Sequence, residues 1–224
     1  MRTARVLARA AAAVGAGYAG YVAWTWLRYG RAGHGGPADP LLDRFLPEYE
    51  VRERHERPMP VPAAATFAAA KRMGLRRSPV ARAVFALREV PARLIGAPRA
   101  PLDERGIVAE TLSIGWGILA ETPGREIVMG AVTRPWEADV KFEALSPEAF
   151  AAFSEPGYVK IAWTLRAEPV GPGRCIFQTE TRAVATDRRS RARFRRYWAF
   201  LSPGIRLIRR AMLRQLEREL ARPG

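Results

Sequence analysis

Residue types that carry common chemistry are scarce in this sequence. The one cysteine, Cys175, cannot form an intramolecular disulfide, and without a histidine partner it is a poor nucleophile. The two histidines are His34 and His55, and no set of His, Cys, Asp and Glu has metal-ligand spacing. No glycine-rich loop follows a predicted strand, which argues against a phosphate loop. We therefore expect no metal, no cofactor and no familiar catalytic motif.

Lysine is also rare, because it supplies only three of the 37 basic residues. The formal charge of +15 lies at the two ends of the chain. Residues 1–36 carry +5, residues 188–224 carry +10, and residues 37–187 hold twenty basic and twenty acidic side chains. With 48% hydrophobic residues in the chain, the neutral middle is expected to form one folded domain with a real core.

An uncharged run lies near the N-terminus. Residues 10–27, AAAAVGAGYAGYVAWTWL, form an 18-residue stretch between Arg9 and Arg28. A bilayer span needs about 20 mostly apolar residues, and aromatic residues gather at one end of this run as they do at membrane interfaces. We predict a single-pass membrane anchor over 1–29, with the side of the membrane left open, and a linker over 30–46. A cleaved signal peptide and a soluble helix are the alternatives.

The positions of proline and glycine predict the first elements of the domain. Residues 47–61 are polar throughout and closed by prolines, as in a solvent-facing strand. Residues 62–74 and 78–96 each begin near a proline and end at a glycine, which predicts two consecutive helices. Residues 107–114 fit a strand or a helix, and the pattern alone does not decide between them.

A strand-rich stretch follows these helices. Two apolar runs within residues 116–136 surround Pro123 and Gly124, which favours a type II turn and hence a hairpin. Further predicted elements are a strand over 139–145, a short helix capped by Ser146, and an antiparallel pair over 157–170 and 174–186.

The C-terminal stretch combines an apolar stripe with many arginines. Asp187 is a natural N-cap for a helix. Apolar residues recur every three or four positions from Phe194 to Leu220, which predicts a long amphipathic helix with most arginines off the stripe. Pro203 interrupts this pattern, so we expect a kink or a restart of the helix with Ser202 as its cap.

The order of these elements resembles the helix-grip fold of the START-like superfamily (SRPBCC), which includes polyketide cyclases and dehydrases. The resemblance spans residues 47–221 and rests on the stretches YEVRERHERPMPVPAAATFA, ETPGREIVMGAVTRPW and GYVKIAWTLRAEPVGPGRCIFQTETRAV. It implies an α+β fold in which a curved antiparallel sheet wraps around the long C-terminal helix, with the N-terminal hydrophobic helix as an addition.

The same resemblance implies a largely apolar cavity between the sheet and the C-terminal helix, of the kind that holds a hydrophobic small molecule or lipid. Candidate lining residues are Met129, Trp163, Leu165 and Phe177 on the strands, and Trp198, Leu201 and Ile205 on the helix. Residues with this spacing also occur in filled cores, and that alternative stays open. We expect binding or transfer of a hydrophobic molecule or lipid at a membrane, and the alternative is a cyclase-like or dehydratase-like enzyme.

Glu180 and Arg182 form a suggestive polar pair on the last predicted strand. They lie on one face of it, and one strand register would point both into the cavity. A carboxylate buried there would have a raised pKa and act as a general acid or base. An exposed or ion-paired Glu180 is the alternative.

The arginines of the C-terminal helix have two candidate partners. Nucleic-acid phosphates attract such residues, but the chain has no nucleic-acid-binding motif and its domain is neutral, so we expect no nucleic acid. Anionic lipid headgroups fit better, because each arginine near such a surface contributes about 1 kcal/mol. The predicted membrane-surface residues are Arg195, Arg196, Arg206 and Arg210.

Overall fold

A computed structural model describes residues 2–31, 39–74 and 106–221 of the chain. The second predicted helix, over residues 78–96, lies outside these described ranges. The helices are α1 (Arg2–Arg28), α2 (Pro40–Asp43), α3 (Ala63–Arg72), α4 (Ile107–Ser113), α5 (Pro147–Ala152) and α6 (Arg188–Leu220). The strands are β1 (Val51–Met59), β2 (Gly117–Thr122), β3 (Glu126–Thr133), β4 (Phe142–Glu143), β5 (Val159–Gly171) and β6 (Arg174–Ala185).

The strands form one antiparallel sheet in the order β1-β6-β5-β3-β2, and the short β4 pairs with β3. Both predicted hairpins are confirmed. In the first, the N–H of Arg125 donates to the carbonyl of Thr122 over 3.0 Å, and Gly124 has a φ of +72°, as the second central position of a type II turn requires. The α+β class and the long C-terminal helix packed against an antiparallel sheet are confirmed as well.

The two faces of the sheet are both covered, and we name them by what covers them. The helix face carries Trp163 and Leu165 and packs against α3, α4 and α6. The outer face carries Val128 and Ala162 and packs against α2, the residues just after it, and α5. Since neither face of β3 meets water, its side chains are apolar on both sides, which explains its near-continuous hydrophobic run.

The covering of the outer face comes from a segment that the sequence presents as a linker. Residues 39–46 include the short helix α2, and Leu42, Phe45 and Leu46 are buried against the sheet. Asp39 caps α2 by accepting the N–H of Leu42 over 3.0 Å. This part of the predicted linker is therefore part of the core.

Strand β1 departs from the solvent-facing strand predicted over 47–61. Its side chains alternate between the two faces, and those of Val51, Glu53 and Met59 are buried on the helix face. The strand lies at an edge of the sheet, which allows Pro58 to occur in it. The charged residues at alternate positions misled the prediction, because several of them pair with partners inside the fold.

One predicted strand is shorter than expected, and one ambiguous segment is a helix. The strand predicted over 139–145 is reduced to Phe142 and Glu143, which pair with β3. The ambiguous residues 107–114 form helix α4, which Gly106 precedes with a φ of +105°. The short helix capped by Ser146 is confirmed, since the Ser146 hydroxyl accepts the N–H of Ala149 over 3.2 Å.

Helix α6 runs through Pro203 without the restart that the sequence suggested. Ser202 is buried, and its hydroxyl lies 3.4 Å from the hydroxyl of Tyr21 on α1. The hydroxyl of Tyr18 donates to the carbonyl of Phe200 over 2.8 Å, next to the carbonyl that Pro203 leaves without its usual donor. Contacts from α1 therefore hold the turn of α6 that precedes Pro203. The predicted N-cap is confirmed, because Asp187 accepts the N–H groups of two residues in the first turn.

Helix α1 packs on α6 through its second half, while Val6 and Val14 in its first half are exposed. In the part of the chain that the structure describes, no helix combines the length and apolarity needed to cross a bilayer. The structure thus does not support the transmembrane anchor predicted over 1–29. The physical reason is composition, since alanine and glycine make up much of this helix and are weakly lipophilic.

Candidate functional site

The candidate site lies between the helix face of the sheet and α6. Four of the predicted cavity residues, Met129, Trp163, Leu165 and Phe177, belong to one buried cluster there. They come together because the strand register aligns them: Met129 is opposite Trp163, and Leu165 is opposite Thr179 on β6. All four side chains therefore lie on the helix face, and their role in lining a ligand cavity stays a prediction.

The space that remains inside this cluster is small. Its volume is about 10 Å³, which is room for about one water molecule. The residues around it are Ala70, Met73, Ile107, Leu165, Phe177, Thr179, Arg209, Met212 and Leu213. Met73 lies next to residue 74, where one described range ends, and Ile107 lies next to residue 106, where the following described range begins. Among the described residues, the interior is packed rather than hollow.

A positive charge points into this apolar interior. The guanidinium of Arg209 donates to the hydroxyls of Thr179 and Thr181 over 2.8 and 3.0 Å. It also lies over the ring of Trp163, with 5.1 Å between the guanidinium carbon and the ring centroid. Such a cation–π contact contributes about 0.5–2 kcal/mol.

Arg209 has no counter-ion among the described residues, where no carboxylate lies within ion-pair distance of it. Loss of hydration lowers the pKa of this guanidinium to about 10, so it stays charged at neutral pH. Arg209 is only partly exposed, so its guanidinium loses part of its hydration, and two hydrogen bonds and the tryptophan contact offset part of that loss. The guanidinium thus lines an apolar interior with a charge that no described carboxylate neutralises.

His55 lies beside this charge on the same face of the sheet. It is the cross-strand neighbour of Thr179, and its side chain is half-buried near α6 rather than solvent-facing as the sequence suggested. Burial and the nearby positive charges of Arg209, Arg210 and Arg206 lower the pKa of His55 to about 4. The imidazole is therefore neutral at pH 7, and its Nε2 atom has no hydrogen-bond partner among the described residues.

The three predicted cavity residues on α6 lie elsewhere. Trp198 and Ile205 pack in a separate cluster with Val51 and Phe194, towards the N-terminal part of α6. Leu201 is half-buried. The structure thus assigns the helix side of the candidate site to Arg209, Met212 and Leu213, one or two turns further along α6.

Glu180 and Arg182 point to the outer face of the sheet, away from α6. Glu180 accepts hydrogen bonds from Arg52 over 2.8 Å and from Arg182 over 2.7 Å, and Arg182 also pairs with Asp43. Burial alone would raise the pKa of Glu180, but the hydrogen bonds from the two arginines outweigh it and lower the pKa. The strand register that would place Glu180 in the cavity does not occur, so it is an ion-paired structural residue.

The four predicted membrane-surface arginines divide into two pairs. Arg195 donates to the carbonyl of Trp26 over 2.6 Å, and Arg206 forms an ion pair with Glu53. Both therefore hold other elements against α6. Arg196 and Arg210 are exposed.

Sequence reasoning missed Arg209, His55 and the two threonines. A sign of Arg209 was available, because it falls between Ile205 and Met212 on the stripe that faces the sheet, with spacings of four and three residues. An arginine on the buried stripe of a helix is unusual and indicates a partner or a function. The burial of His55 gave no comparable sign, since it depends on which face of β1 is covered.

Several solved structures resemble this chain at low similarity, while no family model and no curated protein matches it. A hypothetical protein from Helicobacter pylori has 8% identity and a TM-score of 0.39, over 84% of this chain and 98% of that one. The di-domain ARO/CYC BexL from the BE-7585A biosynthetic pathway has 16% identity and a TM-score of 0.27, over 75% and 45%. Norcoclaurine synthase from Thalictrum flavum has 12% identity and a TM-score of 0.28, over 77% and 95%. TM-scores this low support no functional comparison with these proteins.

Proposed function

We propose that the protein binds a hydrophobic small molecule or lipid that carries an anionic oxygen group, between the helix face and α6. The observation that carries this proposal is the charge of Arg209, which lines an apolar interior and has no counter-ion among the described residues. A carboxylate or similar anion would pair with the guanidinium donors that the threonines leave free, and the apolar cluster would contact the rest of the molecule.

Binding requires the interior to open, since its space of about 10 Å³ is far below the roughly 300 Å³ of a typical ligand site. The composition of the cluster favours such a rearrangement. Four of the five methionines of the chain, Met59, Met73, Met129 and Met212, lie in it. Methionine side chains are unbranched and repack readily, so a ligand would displace Met73 and Met212 at the rim of the space.

A cyclase-like or dehydratase-like enzyme is a second candidate, which the neutral His55 favours. A neutral imidazole with a free nitrogen beside a fixed cation is suited to accept a proton while the cation stabilises a developing oxyanion. A base with a pKa of about 4 is weak at neutral pH, however, because the best catalytic pKa lies near the working pH. We therefore favour ligand binding over catalysis as the function. If the protein is an enzyme, His55→Gln is expected to abolish its turnover.

The test of binding compares two probes that differ in charge. Anilinonaphthalene sulfonate is anionic, and N-phenylnaphthylamine is a neutral molecule of similar shape. The Arg209→Met variant is expected to bind the anionic probe at least about tenfold more weakly, since hydrogen bonds to charged groups contribute about 1.5–3 kcal/mol. Its affinity for the neutral probe is expected to stay unchanged.

The matched control is Arg210→Met, which removes an exposed charge next to Arg209 on the same helix. Fluorescence titration of the full chain measures all affinities, and thermal melts verify that each variant is folded. Equal losses for both probes, or equal losses in the two variants, would rule out Arg209 as the anion-binding group.

We also propose contact with an anionic membrane surface through the exposed face of α6. Phe200 and Leu207 on this face are 56% and 54% exposed, and the exposed Arg196 and Arg210 lie at either end of the pair. Helices that lie in membrane interfaces combine apolar and basic residues in this way. Flotation with anionic vesicles is expected to fall when Phe200 and Leu207 are both changed to serine, and flotation that is indifferent to this change would contradict the proposal.

A further inference from the structure

A second and larger cleft lies between the C-terminal end of α1, the first residues of β1 and the middle of α6. Its volume is about 420 Å³, within the roughly 300–1,000 Å³ of small-molecule sites. The residues around it are Trp24, Thr25, Arg28, Tyr29, Arg31, Glu50, Val51, Arg52, Glu53, Trp198 and Arg206. It is distinct from the space at Arg209, which none of these residues lines.

The acidic residues of this cleft are already neutralised by the protein. Glu50 accepts the hydroxyl of Tyr29 over 2.6 Å and pairs with Arg191 over 3.0 Å. Glu53 forms an ion pair with Arg206. Their negative charges are therefore not available to repel an anion in the cleft.

Two of its arginines have no carboxylate partner within the described ranges. The guanidinium of Arg28 lies 5.1 Å from the ring centroid of Trp24. Neither Arg28 nor Arg31 forms an ion pair with a described carboxylate. Arg28 is the last residue of α1 and Arg31 lies three residues beyond it, where the helix dipole favours cations but supplies no carboxylate to neutralise them. The cleft therefore presents a net positive lining.

The hydroxyl of Thr25 supplies the second, independent observation. Thr25 is only 5% exposed, lines the cleft, and its Oγ1 atom has no hydrogen-bond partner among the described residues. Buried hydroxyls are almost always paired, because an unpaired one costs about 1–3 kcal/mol. An unpaired hydroxyl beside two uncompensated arginines is an arrangement that an anion would complete.

We infer that this cleft binds a phosphomonoester. The hydroxyl of Thr25, whose oxygen its neighbours now cover, would donate to a phosphate oxygen once the cleft adjusts around the ligand, and Arg28 and Arg31 would pair with the remaining charge. The indole rings of Trp24 and Trp198 would contact the organic part of the molecule. The ester is either a soluble metabolite or the headgroup of an anionic lipid, and the experiment separates these two sources.

The experiment uses the full chain with glycerol 3-phosphate as the soluble ester and phosphatidic acid vesicles as the lipid. Calorimetry measures the first and flotation the second. The Thr25→Val variant keeps the shape of the side chain and removes only a hydroxyl that has no partner, so its stability is expected to be unchanged or higher. It is expected to weaken binding about tenfold, and Thr25→Ser is expected to restore it.

Arg28→Gln and Arg174→Gln form a matched pair, since each removes one positive charge, only the first lies in the cleft, and the exposed Arg174 lies on β6, away from the α6 face proposed to contact membranes. A cleft-specific site predicts a larger loss for Arg28→Gln. Binding of glycerol 3-phosphate identifies a soluble ester as sufficient, and binding of vesicles alone identifies the lipid headgroup. No binding to either, equal losses in the two arginine variants, or no effect of Thr25→Val would overturn the inference. None of these outcomes depends on Arg209.

Discussion

A pair of buried carboxyl groups on the outer face of the sheet makes the stability of the fold sensitive to alkaline pH. Asp39 and Glu126 are 2% and 6% exposed, and the Thr164 hydroxyl approaches Asp39 at 3.5 Å. Burial is the main reason why the pKa of Glu126 rises from 4.5 to about 8, and the charge of Asp39 and a hydrogen bond with it add to the rise. Arg166 and Arg125 act in the opposite direction without cancelling it.

The sign and size of the effect follow from this pKa. A carboxyl whose pKa is higher in the folded than in the unfolded chain stabilises the fold below pH 4.5, and this stability is lost as the pH rises through about 8. At about 1.4 kcal/mol for each pKa unit, the whole change is at most about 5 kcal/mol. Between pH 6.5 and 9, the loss from Glu126 is about 2 kcal/mol.

Glu126→Gln tests this account, because glutamine mimics the protonated acid and its amide still donates to Asp39. Urea unfolding at several pH values is expected to show about 2 kcal/mol less pH dependence in the variant than in the parent between pH 6.5 and 9. Glu143→Gln, at an exposed position on β4, is the control and should follow the parent. If Glu126→Gln keeps the slope of the parent, the carboxyl pair does not share a proton in the folded protein.

Two further predictions concern the buried Gly130 and the buried ion pair of Glu180 with Arg182. A Cβ atom at Gly130 would come within 2.5 Å of the Leu119 side chain, so Gly130→Ala is expected to destabilise the fold by about 1–3 kcal/mol, while Gly173→Ala, in open space, should have almost no effect on the melting temperature. Arg182→Met is expected to cost about 3 kcal/mol in denaturant unfolding because it leaves Glu180 short of one buried partner, and a cost near zero would contradict the ion-paired assignment of Glu180.

Periodicity and turn residues were sufficient to predict much of the fold. The Pro123–Gly124 turn, the alternating strands after residue 157 and the Asp187 cap depend on local geometry, and each is confirmed. These features are predictable because the residue type itself fixes the backbone conformation or the face of the element.

The missed features depend on contacts between distant parts of the chain. Alternation along β6 places Glu180 and Arg182 on one face, but only the packing of residues 39–50 shows that this is the outer face. The same is true of His55, whose face of β1 is covered by α6. A strand pattern gives the period of two without saying which face is covered.

NMR of the Arg209 side chain tests most directly whether this guanidinium binds the anionic end of a hydrophobic ligand. The Nε–H resonance of Arg209 is assigned by its loss in Arg209→Lys, and the full chain is titrated with decanoate and with decanol. We expect decanoate to shift this resonance in a saturable way, and decanol to shift it much less. The exposed Arg210 should respond to neither. A resonance of Arg209 that ignores decanoate, or a shift shared equally by the exposed arginines, would contradict the account.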